Sequence, residues 1–373
     1  MKKIALIYIS TGTGGCSEVV RQIAYKLSLQ HDVTVIANNE LRNYFYSTKF
    51  SFSGVHSSLI NKSYFLRFLR FIIRRWLDKD YFLKQKLKVI FNKNQFDIIH
   101  LHSPFALSIF ELKWKKESKL VYTDHDAIYN IKIKHHFNID LNYSSFLHNL
   151  KNLDGITSPS ERSLTRLIKL TSASKQLKYE VIRNGLNIPN KIPNRDLSSI
   201  HAIFPGGSNS IKGLNKFIYL LESTSIELLK EIGFRLYILG ECEQFTKTYI
   251  NESWLNPYII FTGHLSSIDY NKILKKSNVY INFSESEILP LALLESLSHN
   301  IIPFVKDVGA ITEILSKDEN CIIVSEDSFI EDFKKLKNIN FLNNIYENNK
   351  LISSGFHWDK ISDQYSNFYL LLK

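Results

Sequence analysis

The fold is decided near the N-terminus, where an apolar run is followed by a glycine turn and a helical pattern. The run is Ile4-Ala5-Leu6-Ile7-Tyr8-Ile9, and Gly12-Thr13-Gly14-Gly15 follows it. A continuous apolar run of this kind predicts a parallel strand buried on both faces. Apolar residues then recur at helical spacing from Val19 to Leu27, and Val33 to Ala37 predicts a second strand. These segments together predict a βαβ unit.

The alternation of strands and helices continues and then restarts after a turn-rich linker. The linker is Asn184 to Asp196, which carries four Asn, two Pro and one Gly. Before it, strands are predicted at Asp97–Leu101, Leu120–Thr123 and Gly155–Ser158. After it, strands are predicted at Ala202–Phe204, Arg235–Leu239, Tyr258–Thr262, Val279–Phe283 and Ile301–Val305, with helices at Leu214–Leu221, Leu291–Leu297 and Trp358–Leu372. Two such segments predict an α/β protein with two doubly wound domains that face a cleft.

Composition places the chain among ordinary globular proteins. Of its 373 residues 44% are hydrophobic, and Gly and Pro are few, which excludes disordered and collagen-like classes. The net charge of +11 favours an anionic partner, such as nucleic acid, a phosphorylated substrate or acidic lipid.

Cysteine spacing and hydropathy bear on where the protein works. Cys16, Cys242 and Cys321 are far apart and form no CxxC pair, as expected in a reducing compartment without a cysteine metal cage. The N-terminal apolar run is shorter than a signal-peptide core, which needs roughly 7–15 residues. No window reaches the roughly 20 apolar residues of a membrane span. We therefore expect a cytoplasmic protein.

Two glycine-containing loops stand at predicted strand ends. In the first, Gly12-Thr13-Gly14-Gly15 opens a helix, where backbone N–H groups can bind phosphate; a tight turn with no ligand fits equally well. The second is Pro205-Gly206-Gly207-Ser208, with Lys212 downstream. A lysine there can meet a diphosphate as a point charge, or it can be an ordinary solvated side chain.

Two glutamates flank a third helix start. Glu287 and Glu295 are eight residues apart, and Pro290 between them suits the first turn of a helix. Glu287 then lies in the preceding loop, and Glu295 lies inside the helix in an apolar run. A carboxylate accepts several hydrogen bonds, so Glu295 suits a ligand rich in hydroxyls; the alternative is a solvent-facing side chain.

The stretch from Ser284 to Leu297 resembles the E-x7-E signature of the retaining GT-B glycosyltransferases, most closely family 4 of these nucleotide-sugar-dependent enzymes. Further motifs fall in the family's order along nearly the whole chain. They are Gly14-Gly15, Asp97–Ser103, Tyr122–Asp126, Arg183-Asn184-Gly185, Lys212-Gly213, Leu239-Gly240, Thr262–Leu265 and Phe356–Ile361. The resemblance implies a Rossmann-like acceptor domain over 1–186, a Rossmann-like nucleotide-sugar domain over 187–356, and a C-terminal helix over 357–373 that crosses back to the first.

The resemblance also implies roles for individual residues. The catalytic residues would be Glu287 beside the donor sugar, Lys212 against the diphosphate, and His125, which positions the donor sugar or the acceptor. Glu295 would hold the ribose, and Leu265 would touch the base through its backbone. The full donor site would comprise Gly14, Gly15, Gly207, Ser208, Lys212, Gly240, Leu265, Leu289, Pro290, Leu291 and Glu295. A cation and helix N-termini would stabilise the charge that develops on the leaving nucleotide.

The chain departs from the family pattern at two positions. Gly207 stands where an arginine is usual, so one diphosphate cation is missing or is supplied by another residue. Ile288 replaces the usual glycine after the first glutamate and restricts that loop. Asp124-His125-Asp126 and Asp78-Lys79-Asp80 resemble the DxD metal motif of the GT-A fold, which lacks a second α/β domain. We therefore expect no metal and no other cofactor.

Residues 59–91 form a basic, aromatic segment. It carries nine basic residues against two acidic ones, or +7 of the total charge, interleaved with Phe, Leu and Trp. Such a pattern is typical of a helix that lies on an anionic membrane surface, through Arg67, Arg70, Arg74, Arg75 and Trp76. The alternatives are a helix packed on the N-terminal sheet and a nucleic-acid patch, for which no accompanying motif is present.

These observations predict a retaining glycosyltransferase that moves a sugar, with a UDP-sugar favoured as donor, to a lipid-linked or growing glycan in bacterial surface polysaccharide assembly. It would work on the inner face of the cell membrane. Because the usual arginine is missing, a non-catalytic accessory subunit of a glycosyltransferase complex is an alternative function. A nucleotide-sugar epimerase is a further alternative, and an NAD-dependent oxidoreductase built on the glycine turn and Glu40 is another.

Overall fold

The computed structural model describes residues 1–10, 14–55, 80–125, 143–171, 177–189 and 194–372. The chain divides into two compact units. The first contains Met1–Arg183 and Trp358–Lys373, and the second contains Asn184–His357. The sequence places these divisions at residues 186 and 356.

In the described ranges of the first unit, seven parallel strands form one sheet in the order β3-β2-β1-β4-β5-β6-β7. They are β1 (Lys3–Tyr8), β2 (Asp32–Asn38), β3 (Ser51–Val55), β4 (Ile98–Leu101), β5 (Lys119–Thr123), β6 (Gly155–Ser158) and β7 (Lys178–Val181). The central strand β1 pairs Ile4 with Val33 on one side and with Ile98 on the other. Every residue of β4 and β6 is buried, as expected where helices cover both faces of a parallel sheet.

The helices described in the first unit are α1 (Gly15–Leu27), α2 (Tyr81–Lys93), α3 (Pro104–Ile109), α4 (Tyr143–Leu150), α5 (Glu161–Thr171) and α14 (Trp358–Leu371). Helix α14 belongs to this unit although it ends the chain. Lys26 on α1 pairs with Asp359 on α14 at 2.5 Å between Nζ and Oδ1. The Lys2 ammonium donates to the Tyr369 carbonyl at 3.0 Å, so both chain ends pack on one body.

In the described part of the second unit, six parallel strands form the order β10-β9-β8-β11-β12-β13. They are β8 (His201–Pro205), β9 (Arg235–Leu239), β10 (Ile259–Gly263), β11 (Val279–Asn282), β12 (Ile302–Val305) and β13 (Ile322–Ile323). The helices are α6 (Leu214–Glu222), α7 (Ile226–Glu231), α8 (Gln244–Glu252), α9 (Ser267–Lys276), α10 (Leu291–Ser298), α11 (Ile311–Ile314), α12 (Phe329–Lys334) and α13 (Ile339–Ile352). Across the described residues of both units, we find no helix with the length and hydropathy needed to cross a membrane.

A group of phenylalanines anchors the end of β11. Phe283 is fully buried, and its ring lies 5.1 Å from Phe217, 5.9 Å from Phe329 and 6.4 Å from Phe304 between centroids. Burying one such side chain stabilises a fold by about 1.5–3 kcal/mol. The loop that begins at Ser284 therefore starts from a fixed point.

The predicted α/β class and both doubly wound sheets are confirmed, and the predicted strands and helices fall within one or two residues of the observed ones. Three strands were missed: β3, β7 and β13. Each lies at an edge of its sheet. Strand β7 is exposed or half-buried throughout, so it lacks the continuous apolar run that marks a central parallel strand.

Candidate functional site

The loops after β8 and β11 bring together a lysine and a glutamate that are distant in sequence. The Lys212 ammonium forms an ion pair with Oε1 of Glu287, and the two side chains are 34% and 14% exposed. The Ser284 hydroxyl donates to the same Oε1 at 2.9 Å. The Glu285 N–H donates to the Ile211 carbonyl at 2.8 Å and ties the two loops together. Two predicted catalytic residues, Lys212 and Glu287, therefore meet in the second unit, and the structure adds Ser284.

Glycine makes the close approach of these loops possible at two positions. Gly213 has φ +74°, and a Cβ there would lie 2.2 Å from the Phe283 carbonyl oxygen. Gly309 has φ +59°, and a Cβ there would lie 2.5 Å from the Glu287 carbonyl oxygen. No other residue type fits such a backbone without strain. The sequence contains both glycines, but only the fold shows that Gly309 supports the Glu287 loop.

Ile288 does not disturb the glutamate loop. Its side chain is 4% exposed, and its carbonyl accepts from the Ala310 N–H at 2.8 Å. The Ile288 side chain is part of the core. The glycine that allows the backbones to pack closely lies in the neighbouring segment, at position 309. The expected restriction at Ile288 is therefore accommodated by a neighbouring segment.

Glu295 lies inside helix α10, as predicted. Its Oε2 accepts from the Tyr270 hydroxyl on α9 at 2.7 Å, and its side chain is half-buried. Burial and the neighbouring Glu295 carboxylate raise the pKa of Tyr270 well above its usual value. The phenol therefore stays protonated and orients the carboxylate. Leu265 is half-buried just before α9 and packs on the same apolar cluster as Tyr270.

The segment from Leu289 to Leu291 leads into α10. The Leu289 carbonyl accepts from the Asn184 side-chain amide at 2.9 Å. Pro290 has φ −63° and immediately precedes the first helical residue, Leu291, so it caps the helix and does not lie in its first turn. The first N–H groups of any helix have no intrahelical partner, and they attract anions. This is the end of α10 nearest Glu287 in the chain.

The glycine loop after β8 packs against the loop after β9. Gly207 has φ +57°, and a Cβ there would lie 1.8 Å from the Glu241 carbonyl oxygen. The Ser208 hydroxyl accepts from the Glu243 N–H at 2.7 Å, and Gly240 has φ +102°. A side chain at position 207 does not fit this backbone, so this position cannot supply a cation.

The glycine turn of the first unit differs from that of the second. Gly14 and Gly15 open α1, with Gly14 as its cap, while Gly12 and Thr13 lie outside the described residues. Gly14 has an extended backbone, φ −174°, and a Cβ there would meet no described atom within 4 Å. Neither strain nor packing against the described part of the chain requires glycine at position 14.

His125, the third predicted catalytic residue, lies in the first unit at the end of β5. Its Nε2 is 3.1 Å from Nδ1 of His102, which follows β4. His102 in turn stacks near His100, with ring centroids 4.0 Å apart. Sequence reasoning included His100 and His102 in the family motif Asp97–Ser103 but gave them no role, although their alternation in Ile99-His100-Leu101-His102 places both on one face of a strand.

Burial keeps this histidine cluster neutral. It lowers the pKa of His125 to about 3 and lowers the pKa of His100 and His102 well below the usual value. Both nitrogens of His100 are hydrogen bonded, Nδ1 to the Tyr369 hydroxyl at 2.7 Å and Nε2 to the Thr123 hydroxyl at 2.6 Å. A neutral cluster, in which His100 and His102 are fully buried and His125 is half-buried, holds His125 in a defined orientation.

The neighbouring Asp124 has a structural role. It is fully buried; Tyr122 donates to its Oδ1 at 3.2 Å and Ser163 donates to its Oδ2 at 2.5 Å. Asp126 and Asp78 lie outside the described residues, as do the predicted membrane residues Arg67, Arg70, Arg74, Arg75 and Trp76. Among the residues that the structure describes, no three His, Cys, Asp or Glu side chains are grouped so as to hold a metal ion.

Two family models match the chain. The model "Glycosyltransferase Family 4" matches residues 13–188, and the model "Glycosyl transferases group 1" matches residues 203–338. A comparison with curated protein sequences gives no significant match.

Solved structures of the same fold cover nearly the whole chain. HepE from Anabaena in complex with UDP has a TM-score of 0.74 at 14% identity, covering 98% of this chain and 99% of that one. Sucrose-phosphate synthase from Thermosynechococcus elongatus has a TM-score of 0.79 at 15% identity, covering 100% and 99%. The lipopolysaccharide outer core galactosyltransferase WaaB has a TM-score of 0.68 at 16% identity, covering 99% of each chain. With both family models and this shared two-domain architecture, the chain belongs to the glycosyltransferases of the GT-B fold.

Proposed function

We propose that this glycosyltransferase transfers a sugar from a UDP-sugar to a glycan acceptor with retention at the anomeric carbon. The observation that carries the proposal is the Lys212–Glu287 ion pair, whose glutamate lies in the loop that leads into α10, in the unit that matches the group 1 model. An ammonium, a carboxylate and unpaired helix N–H groups together suit a sugar diphosphate, which offers both anionic oxygens and hydroxyls.

In this proposal the donor reorganises the ion pair. The diphosphate takes the Lys212 ammonium, and Glu287, still held by Ser284, faces the sugar. As the bond between the anomeric carbon and the phosphate oxygen breaks, negative charge grows on UDP. Lys212 and the N-terminus of α10 stabilise that charge, which develops only in the transition state.

Glu295 binds the ribose in this proposal. Its carboxylate is oriented by Tyr270, and ribose hydroxyls are donors that a carboxylate accepts readily. Leu265 lies near α9 and contacts the base. Gly14 and Gly15, which open α1, are proposed as further donor-binding residues on the family resemblance alone.

The choice of UDP as the nucleotide is supported by the neighbouring structures. HepE has been solved with UDP and also with UDP-glucose. We propose that no divalent metal is needed, because in this proposal Lys212 and the N-terminus of α10 supply the positive charge that the diphosphate requires.

The acceptor is proposed to be lipid-linked, in surface polysaccharide assembly. WaaB, a lipopolysaccharide galactosyltransferase, shares the fold. The described end of the basic segment is consistent with a membrane surface: α2 exposes Tyr81 and Phe82 beside Lys86 and Lys88, and it contains no acidic residue. Flotation with liposomes tests this point. Binding to anionic vesicles and not to neutral ones is expected, and equal or absent binding would contradict it.

Thermal shift with UDP, GDP, ADP and NAD, each with and without EDTA, tests the donor site. We expect selective stabilisation by UDP that is unaffected by EDTA and lost in Glu295→Ala, because a ligand that binds only the folded state raises the unfolding temperature. Glu287→Ala should keep UDP binding and lose turnover. The anomeric configuration of the product, read by NMR, tests retention.

The absent arginine favours one alternative, an accessory subunit that supports a partner enzyme. Gly207 leaves no room for a side chain, so position 207 contributes no cation. A chain that binds no nucleoside diphosphate and shows turnover only in complex with another protein would favour that alternative. Binding and turnover by the purified chain would exclude it.

A further inference from the structure

The contact between His102 and His125 determines which ring nitrogen of His125 carries the proton. We propose that His102 is a positioning residue that holds His125 as the neutral tautomer protonated on Nδ1. His125 then donates a hydrogen bond from Nδ1 to a sugar oxygen and is not a general base at that atom. The identity of the ligand rests on the proposed function, whereas the tautomer does not.

The ring of His102 is fixed on several sides. The side chain is fully buried, and its Nδ1 lies 3.1 Å from Nε2 of His125, with ring planes only 20° apart. Its backbone N–H donates to the Ile7 carbonyl at 2.9 Å, and its carbonyl accepts from the Cys16 thiol at 3.4 Å. The two imidazoles therefore share one hydrogen bond in a defined geometry.

The second ring nitrogen of His102 limits how the ring can be protonated. Its Nε2 is buried and has no hydrogen-bond partner in the part of the chain that the structure describes. The adjacent ring, His100, cannot serve, because both of its nitrogens are occupied by Tyr369 and Thr123. The protonation of His102 must therefore be compatible with an unpaired Nε2.

Two neutral arrangements satisfy the shared hydrogen bond. Burial lowers the pKa of His125 to about 3 and that of His102 well below its usual value, so each ring carries one proton. If His125 donated from Nε2, His102 would bury an N–H group at Nε2 with no acceptor. If His102 donates from Nδ1, its Nε2 carries no proton and is only an acceptor without a donor. Buried donors without acceptors are the rarer defect in folded proteins, so the second arrangement is favoured.

This arrangement sets the chemistry of His125. Its Nε2 accepts from His102, and its single proton is on Nδ1. A hydroxyl or ring oxygen of a sugar accepts from such an N–H group. Because Nδ1 is already protonated and the ring resists a second proton, His125 positions a sugar and does not remove the proton of the attacking hydroxyl.

Nitrogen NMR of the wild-type protein tests the tautomer without any ligand. Spectra of protein labelled with 15N-histidine, assigned with single variants at positions 102 and 125, report which ring nitrogens carry a proton. We expect Nδ1 to be protonated in both rings. A proton on Nε2 of either ring would overturn the proposal, whatever the enzyme transfers.

Paired amide substitutions test the consequence for the reaction. The amide nitrogen of Asn lies near the position of Nδ1 in histidine, and that of Gln lies near the position of Nε2. We expect His102→Asn to keep kcat/KM for UDP-glucose within about threefold of wild type, and His102→Gln to lose about tenfold, as for one lost hydrogen bond. The Kd for UDP should not change in either of them, and the exposed His148→Asn and His148→Gln pair is the control.

Two results separate failure of the inference from failure of the proposed function. Equal losses in the Asn and Gln variants would overturn the positioning role of His102. Wild-type protein that binds no UDP-sugar would overturn the proposed donor, while the nitrogen spectrum would still decide the tautomer.

Discussion

Each unit carries a polar cluster near the carboxyl ends of central strands. The cluster of the first unit is held by hydrogen bonds between neutral groups, and that of the second by an ion pair. In the first unit, His100, His102 and His125 are neutral, packed and linked by directed hydrogen bonds. In the second, Lys212 and Glu287 are oppositely charged and partly open to solvent. A buried neutral network is rigid and sensitive to pH, whereas a partly exposed ion pair is weak and exchanges readily with an anionic ligand.

The largest effect is expected where the charged cluster meets the ligand. Lys212→Ala should lower turnover by about 100- to 1,000-fold, because it removes a charge that stabilises the leaving diphosphate. The unfolding temperature should hardly change, since a partly exposed ion pair contributes only about 0–1 kcal/mol. Steady-state kinetics and calorimetry measure the two quantities.

Lys216→Ala is the matched control for Lys212→Ala. Lys216 is a partly exposed lysine on α6 that pairs with Glu326. Its loss should leave turnover within about twofold of wild type, as is usual for surface charges away from the ligand. Similar kinetics in the two variants would show that the ion pair of Lys212 is structural only.

The glycine loops give the second contrast between the units. Gly207→Ala should destabilise the second unit by about 2–4 kcal/mol, because the residue has φ +57° and its Cβ would overlap the Glu241 carbonyl oxygen. Gly14→Ala should change stability by less than about 0.5 kcal/mol, because its backbone is extended and no described atom lies near. Chemical denaturation compares the two. Equal destabilisation would mean that Gly14 is also structural.

The neutral cluster predicts how stability depends on pH. Burial lowers the pKa of His125 to about 3 in the folded state, against a usual value of about 6.5. Below about pH 6.5 the unfolded chain binds a proton that the folded chain does not, so the free energy of unfolding falls as pH falls. At about pH 5 this histidine alone should lower it by about 2 kcal/mol.

Denaturation at pH 7 and pH 5 measures this loss, and His125→Asn provides the comparison. The variant should lose less stability than wild type between the two pH values, because it cannot take up the proton in the unfolded state. An identical loss in both proteins would show that His125 is not held neutral by the fold.

The smallest effect concerns the orientation of Glu295. Tyr270→Phe should weaken UDP binding by about three- to tenfold, the usual consequence of losing one hydrogen bond to a charged group that contacts a ligand. Isothermal titration with UDP measures it. Tyr249→Phe removes an exposed phenol that also pairs with a glutamate, Glu222, and should leave UDP binding unchanged. An unchanged affinity for UDP in Tyr270→Phe would indicate that Glu295 lies outside the nucleotide site.

Much of the fold was predictable because the central strands carry their own signal. Strands β6 and β9 were predicted to the residue. In β9 the signal is a nearly continuous apolar run from Leu236 to Leu239, whereas β6 is fully buried although it contains Thr157 and Ser158. The edge strands β3 and β7 were not. Among the described residues each pairs with one strand only, so its residues need not be apolar. Pro290 was placed one residue too far into its helix, which is the usual precision of a helix boundary.

The candidate site was predictable only in part, for a related reason. The amino-acid sequence by itself determined the α/β class, because periodic burial is a local property of a chain. The resemblance of its motifs to a known family singled out Lys212, Glu287, Glu295 and His125 as candidate site residues. Only the tertiary structure decided which partners hold them: Ser284 and Gly309 for Glu287, Tyr270 for Glu295, and His102 for His125. Several of these partners are distant in sequence and meet because parallel strands end at one edge of a sheet, so their hydrogen bonds, and the proton positions that follow, arise only when the sheet forms.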